Sequence, residues 1–599
     1  MLKKASLPLL AALSLSLTAC SEDQINPVRT GWSQWGQNAE HTGQVSVEGQ
    51  KLRRILAEIV MDPFVHHERS EAGYYEHGVG PLLVHYQAPL VDEDDLFISS
   101  KGGTYAACVP AGSGEPFPCG VQAWDQQIWR EERHLWIGDE LVHQWTFESD
   151  WKPIPSLYGA FTWEPVFHAA LAGEHVVVPG GDGTIWVVDR ETGASVRNID
   201  PFQSDPLDPD EERFVAGPLT VDSLGNIYYH VIVYGPREVK DGVIIDVRSG
   251  WLIKAQTDGA FEKANFSALV PEAPSPDGPC PGNFRVSTDA LPWPPSPNAT
   301  PLEVRCGVQR PGVNVAPAVA PDGTIYTVSR SDNAPRESYV VAVNPDLSPK
   351  WAASLQNRLM DGCDTLTLPP NGHAGGCRVG TAVGVDPATN APPAGVVSDQ
   401  STSSPVVTPE GSVIYSAYTR YNYARGHLFH FNPDGSLRNT FDFGWDVTPG
   451  IYARSGSYSI VIKENLYNTG SYCNDEDFCP PLPGGPFNLT QLSPDLEVEW
   501  SYALTNPESC IRNEDGSVSC VNDHPHGFEW CINAPAIDRN GVVYGNGEDG
   551  VLYAIEQGGR DVQTIFLGEA LGAAYTPLAI DRKGRIYTEN VGKLYVVGE

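Results

Sequence analysis

A phrase of three short strands recurs eight times along this 599-residue chain, a proline stands near the start of every copy, and the last copy stops one strand short. Together these observations predict an all-β fold: an eight-bladed β-propeller of four-stranded antiparallel blades. Length agrees, because 599 residues exceed what one ordinary hydrophobic core encloses. So does composition, with 59 Gly and 51 Pro for turns and 15 Trp and 24 Tyr for strands.

The clearest copies are "APAVAPDGTIYTVS" from Ala316, "SPVVTPEGSVIYSAY" from Ser404, "APAIDRNGVVYGNGEDGVLYAIE" from Ala534 and "TPLAIDRKGRIYTENVGKLYVVG" from Thr576. Weaker copies begin at Ala88, Glu164, Gly217 and Thr448. Each reads as a short apolar strand, a turn such as PDG or RNG, a β-branched and aromatic strand, a second turn and a third strand. A fourth strand with an aromatic follows many of them, as in "HQWTFE" around Trp145, "KWAASL" at Trp351 and "EWSYAL" at Trp500.

The prolines are 89, 165, 218, 317, 405, 449, 535 and 577. Proline donates nothing to a ladder, so it belongs on an edge or at a strand start. The innermost strand of a blade has one edge facing the channel, where a proline loses no sheet bond. Successive prolines lie 42 to 99 residues apart. A bare blade needs about 40–45, so the longer intervals carry insertions, notably 271–301 and 360–395. The last unit lacks its outer strand, and an orphan amphipathic stretch, Lys51 to Val60, precedes the first. If that stretch completes the last blade, the ring closes and two sheet edges vanish.

The N-terminus reads as an address. Lys3 and Lys4, a short apolar run and "LTAC" form a leader too short to span a bilayer. This resembles the lipobox of bacterial lipoproteins, which implies cleavage before Cys20, lipid on Cys20 and, with Ser21 following, sorting to the outer membrane. The expected organisation is a signal peptide over 1–19, a lipidated tether and leading segment over 20–45, and the propeller over 46–599. The expected location is the cell envelope, on its periplasmic or exposed face. A formal charge of −36 repels phosphate backbones, which argues against nucleic-acid partners.

Eleven cysteines follow Cys20. In an oxidising compartment Cys108/Cys119, Cys280/Cys306, Cys363/Cys377, Cys473/Cys479 and Cys510/Cys520 read as local disulfides pinning insertions, each adding up to about 3 kcal/mol. Cys531 is left over, with Cys510 an alternative partner for it.

"WSQWGQNAEHTG" (Trp32 to Gly43) and "DGTIWVVDRETGASV" (Asp182 to Val196) resemble the leading segment and the repeat of propellers in the pyrroloquinoline-quinone-binding-like superfamily. The resemblance spans most of the chain and implies the eight-bladed ring. It does not imply the quinone, because that superfamily also includes non-enzymatic lipoproteins. The quinone-dependent dehydrogenases of the superfamily use adjacent cysteines over the cofactor, and here no two cysteines are adjacent. PQQ and calcium are therefore not expected, and no catalytic residue is assigned.

"VHHERSEAGYYEHG" (Val65 to Gly78) and "NDHPHGFEWC" (Asn522 to Cys531) gather histidines, and His524 and His526 are the better metal candidates. "VDEDD" (Val91 to Asp95) is in register with the first turn of a blade, and "GGDG" (Gly180 to Gly183) is a hairpin turn with no helix after it. The expectation is a membrane-anchored, non-catalytic scaffold that binds a protein or small ligand. The alternatives are a PQQ-dependent oxidoreductase, or a metal-dependent hydrolase or lyase at the channel mouth.

Overall fold

The computed structural model describes residues 31–65, 87–105, 126–153, 166–205, 211–240, 243–284, 295–360, 362–365, 370–373, 376–399, 403–419, 426–443, 447–466, 485–572 and 576–599. These residues form eight sheets of four or five antiparallel strands, one per blade, and two small two-stranded ribbons. Four strands per blade, lettered A to D from the channel outward, are joined in the order A–B–C–D. Antiparallel order puts the A–B and C–D turns on one face of the ring, the turn face. The B–C turns and the blade-to-blade connections lie on the other, the loop face.

The last blade is closed as expected. Its inner three strands are Ala579–Ile580, Ile586–Asn590 and Lys593–Gly598, and its outer strand is Arg54–Val60. Arg54 pairs with Gly598 and Val60 with Lys593, in antiparallel register. The pairing begins at Arg54; Lys51 to Arg53 lead into it. Beyond Val60 the chain crosses to blade 1 through Met61, whose N–H donates to Gly592 and whose carbonyl accepts from Lys101. Lys101 and Asp62 then form a buried ion pair, 2.7 Å apart, across that seam.

The prolines have a more specific place than a strand start. In blades 3, 4 and 5 strand A is split into two segments that both pair with strand B: Glu212–Val215 and Thr220–Val221, Gln309–Arg310 and Ala318–Val319, Gly395–Val396 and Val406–Val407. Pro218, Pro317 and Pro405 sit in the breaks. Where strand A leaves its own ladder, the chain bonds the neighbouring blades instead. Ala316 N–H donates to Ser404 Oγ, Ser404 N–H to Thr448 Oγ1, Thr448 N–H to Asn533 Oδ1 and Asn533 N–H to the Thr576 carbonyl. The residue before the proline (Ala316, Ser404, Thr448 and Thr576) or, in blade 7, two before it (Asn533) thus ties blade to blade around the channel. Blade 2 departs from the pattern: its strand A is Ala170–Ala172, well past Pro165, which lies outside the described residues.

On the outside, the strand-D tryptophans dock on a glycine in the C–D turn of the next blade. A Cβ on Gly193 would come within 2.7 Å of the Trp145 ring, and one on Gly435 within 2.7 Å of Trp351. Trp145 and Trp351 donate from Nε1 to the carbonyls of Arg190 and Pro433, in those same turns. Both glycines have positive φ, 72° and 85°, so no other residue suits them. This explains the turn glycine and the outer-strand aromatic as two halves of one contact.

Replacing Arg54–Val60 by an equal run of Gly and Ser removes the closing strand's side chains and weakens the pairing that covers the Lys593–Gly598 edge. Sedimentation velocity is expected to show association of that variant, with a thermal midpoint lower by about 10 °C or more; a monomer of unchanged midpoint would refute the closure.

Candidate functional site

A propeller's natural site is its channel, so the residues that line and close it decide what it can do. Residues 31–50 run around the channel at the turn face and hydrogen-bond every blade in turn. Trp32 exchanges both backbone bonds with Val91 of blade 1, at 2.7 and 2.8 Å. The Ser33 carbonyl accepts from Leu171 of blade 2, and the Gln34 side chain bonds both N–H and carbonyl of Val221 in blade 3. Ala39, Glu40, Thr42 and Gly43 carbonyls accept from Val319, Val407, Ile451 and Ile537 of blades 4 to 7. Gln50 N–H donates to Gly584 of blade 8. In blades 1 to 7 the acceptor or donor is the second residue of the short strand A. The inner edge that proline left open is therefore satisfied by this hoop.

Such a tight path needs unusual backbone. Gly36, Gln37, His41 and Gly43 all have positive φ. A Cβ on Gly36 would lie 2.7 Å from His41 Cα, and one on Gly43 2.4 Å from the Pro535 carbonyl oxygen. The glycines of "WGQNAEHTG" are thus steric requirements of the hoop.

The hoop also fills the channel. Trp32, Trp35, Gln37 and His41 are buried. His41 bridges the ring, with Nδ1 2.8 Å from the Pro405 carbonyl and Nε2 3.3 Å from Thr220 Oγ1. A carbonyl only accepts, so Nδ1 carries the proton and Nε2 accepts from threonine. Burial pulls His41 down to about 4 against the opposing bond to Pro405, so it stays neutral. Trp35 stands edge-on to His168 at 5.5 Å, and burial pulls His168 down to about 3.

Outside the hoop lies a recess of about 940 Å³. Its floor is Asn38, Glu40 and Thr42; its walls include Pro321, Pro409 and Pro494 from blade turns. The charged groups on its rim are turned to neighbours. Asp222 accepts from Asn226 and the Tyr228 hydroxyl, Glu410 from Arg438 and Tyr458, and Arg454 donates to Ser459 and Glu499. This is a shaped, half-apolar surface with its ionic groups spent internally.

On the loop-face side of blade 1, burial pushes the Glu131 carboxyl up to about 8, against hydrogen bonds from Gln87 and Ser99 and with Glu132 adding to the rise. In blade 7 burial, with Glu529 beside it, pushes Glu548 up to about 8. Glu548 hydrogen-bonds Cys531, a buried thiol that burial raises well above its usual range, which leaves it unreactive.

Three expected disulfides are bonded: Cys280–Cys306, Cys363–Cys377 and Cys510–Cys520. Cys510 is therefore not a partner for Cys531. Cys20, Cys108, Cys119, Cys473, Cys479 and the histidines of the 65–78 stretch after Val65 lie outside the described residues. His524 bonds Asp523 at 2.6 Å and stacks on Phe528, with ring centres 3.9 Å apart, while His526 is exposed on the same turn. Among the described residues the clustered ligand set is Glu508 with Cys510 and Cys520. Those two sulfurs are bonded to each other, so this donor set does not fit a metal. The sequence marks "WSQWGQNAEHTG" as a leading segment but not its hoop role; its glycines beside two tryptophans are the signal for that role.

The described fold defines an eight-bladed propeller with one channel mouth closed by its own N-terminal segment. No protein-family model and no curated protein sequence matches the chain. Solved structures do resemble it. A europium-containing methanol dehydrogenase is 11% identical over 94% of this chain and 90% of its own, with a TM-score of 0.47. A quinohaemoprotein alcohol dehydrogenase from Comamonas testosteroni is 12% identical over 96% of this chain and 82% of its own, with a TM-score of 0.49. BamB from Moraxella catarrhalis is 11% identical over 91% of this chain and 99% of its own, with a TM-score of 0.38. At these identities the likeness is one of fold.

Two outcomes follow from the channel geometry. Trp35→Ala empties a buried indole from the hoop and is expected to cost about 3–5 kcal/mol, read as a lower urea midpoint. Glu131 is protonated when folded and ionised when unfolded between about pH 4.5 and 8. Its contribution is therefore full below about pH 4.5 and is lost as pH rises through 8, an effect of at most about 5 kcal/mol. Glu131→Gln should remove that alkaline loss, so urea midpoints from pH 5 to 8 should fall less steeply in the variant than in the parent.

Proposed function

We propose that this chain is a non-catalytic scaffold of the cell envelope, held to a membrane by lipid on Cys20, that presents a rigid ring to a partner protein. The observation that carries the reading is the hoop. Residues 31–50 and their tryptophans occupy the channel at the turn face, where an open propeller would admit a ligand. What is elaborated instead is the loop face, with long blade connections braced by disulfides. Loops on a stiff frame are the usual carriers of recognition. The fold likeness to BamB supports no more than the same architecture, and the dehydrogenase likeness likewise; neither assigns an activity.

The test joins two measurements on one preparation. The full chain is expected in the membrane fraction and Cys20→Ser in the soluble fraction. After incubation with PQQ and calcium, the purified protein is expected to leave an electron-accepting dye unreduced in the presence of alcohols or sugars. Turnover above the protein-free control would replace the scaffold reading with the oxidoreductase one. Loss of bound zinc on replacing His524 and His526 together would instead favour the hydrolase or lyase.

A further inference from the structure

The connection between blades 6 and 7 carries a two-stranded ribbon, Glu508–Arg512 paired with Val518–Asn522 and turned by "NEDG". It adds nothing to the ring's core: its second strand is exposed along its whole length. A lone two-stranded ribbon is marginal in water. This one is braced twice, by Cys510–Cys520 and by docking of its first strand on the blade 7–8 connection. Arg512 N–H donates to the Gly568 carbonyl and Ala570 N–H to the Cys510 carbonyl, each at 2.8 Å.

That docking fixes the direction of every backbone group. Cys510 and Arg512 spend their N–H and carbonyl groups away from the second strand. Their partners across the ribbon, Cys520 and Val518, therefore point theirs outward too, together with Asn522. The 4.1 Å Cα separation of Cys510 and Cys520 is the narrow, non-hydrogen-bonded spacing that this parity requires. Among the described residues nothing covers that outer edge. Val518 and Val521 are 44% and 64% exposed, and Ile511 is 45% exposed on the Val521 side of the ribbon.

Seven of the eight outer blade strands carry a charge that discourages pairing, such as Arg197, Lys263 or Arg438; the exception is Val562–Phe566 of blade 7. The strand "VSCVN" has no charge, no proline and no bulge. Acid gathers at its two ends instead: Glu508 and Asp523 at the base, Glu514 and Asp515 at the tip. The ribbon's one guanidinium, on Arg512, is taken by the Leu567 and Phe566 carbonyls.

We propose that Val518–Asn522 is a strand-addition edge that accepts one extended, basic-flanked segment of a partner protein. Backbone bonds at Val518, Cys520 and Asn522 supply the pairing, Ile511 and Val521 receive alternate apolar side chains, and the terminal carboxylates select Lys or Arg at both ends. This deepens the scaffold reading and rests on it.

The probe is the fluorescein-labelled peptide KVTVTVK, titrated by anisotropy into the detergent-solubilised full chain. It is expected to bind saturably. Affinity should fall by about tenfold or more with the glutamate-flanked peptide EVTVTVE, and with KVTVTVK N-methylated on alternate residues. The same loss is expected in Val518→Pro, which removes an outward N–H, and in Val521→Lys, which leaves the ladder untouched. Undiminished binding by both variants, or by the N-methylated peptide, would overturn the proposal. So would a dimer that Val518→Pro dissolves, since the occupant would then be a second copy. Dye reduction by the PQQ-treated protein would sink the scaffold reading while leaving peptide binding intact, so the two failures are separable.

Discussion

Residues 31–60 bind the ring together twice. Residues 31–50 lace the inner edges of the blades, and Arg54–Val60 completes the last one from outside. Each blade alone would leave an open ladder edge toward the channel, and an unmet buried N–H or carbonyl costs as much as a lost hydrogen bond. The hoop meets those groups at one height in blades 1 to 7. Its backbone has to turn tightly to do so, which is why Gly36 and Gly43 cannot be replaced by residues with a Cβ. Every other feature is arranged on a circumference that this segment sets.

Two further devices divide the remaining blade-to-blade work by radius. Near the axis, residues one or two before the prolines reach sideways rather than along their own sheets, as Ser404, Thr448 and Asn533 do. At the rim, a strand-D tryptophan closes over a turn glycine of the next blade. The seam between blades 8 and 1 adds charge: Arg585 lies over Trp136, and Asp94 takes both Arg582 and Lys583. A frame held at three radii can carry long loops without distortion. The disulfides lie where those devices do not reach, in connections and ribbons with little core of their own.

Much of this was legible beforehand because it is periodic. The PDG-type turns, the strand pairs and the missing outer strand all repeat or fail to repeat at fixed spacing, and sheet-forming side chains alternate with period two. The pairing of Cys510 with Cys520 was legible because "NEDG" turns a hairpin between them. The hoop was not, since its partners are up to several hundred residues away and its bonds are backbone to backbone. Nothing in the side chains of "WSQWGQNAEHTG" names Val319 or Ile537 as a neighbour. The burial of Glu131, on a strand, and of Glu548, in a turn, was hidden for the same reason: a glutamate reads as solvent-facing until a neighbouring segment covers it.

The sequence by itself determined the all-β class, the blade count and the out-of-phase closure, and offered the local cysteine pairs among which three are bonded, because each is a local or repeating relation between residues. Only the tertiary structure decided that the channel is closed at one mouth, that His41 is neutral between blades 3 and 5, and which edge of the 508–522 ribbon stays open. These depend on which surfaces meet when eight sheets are bent into a circle, and that convergence is a property of the closed ring rather than of any stretch of chain.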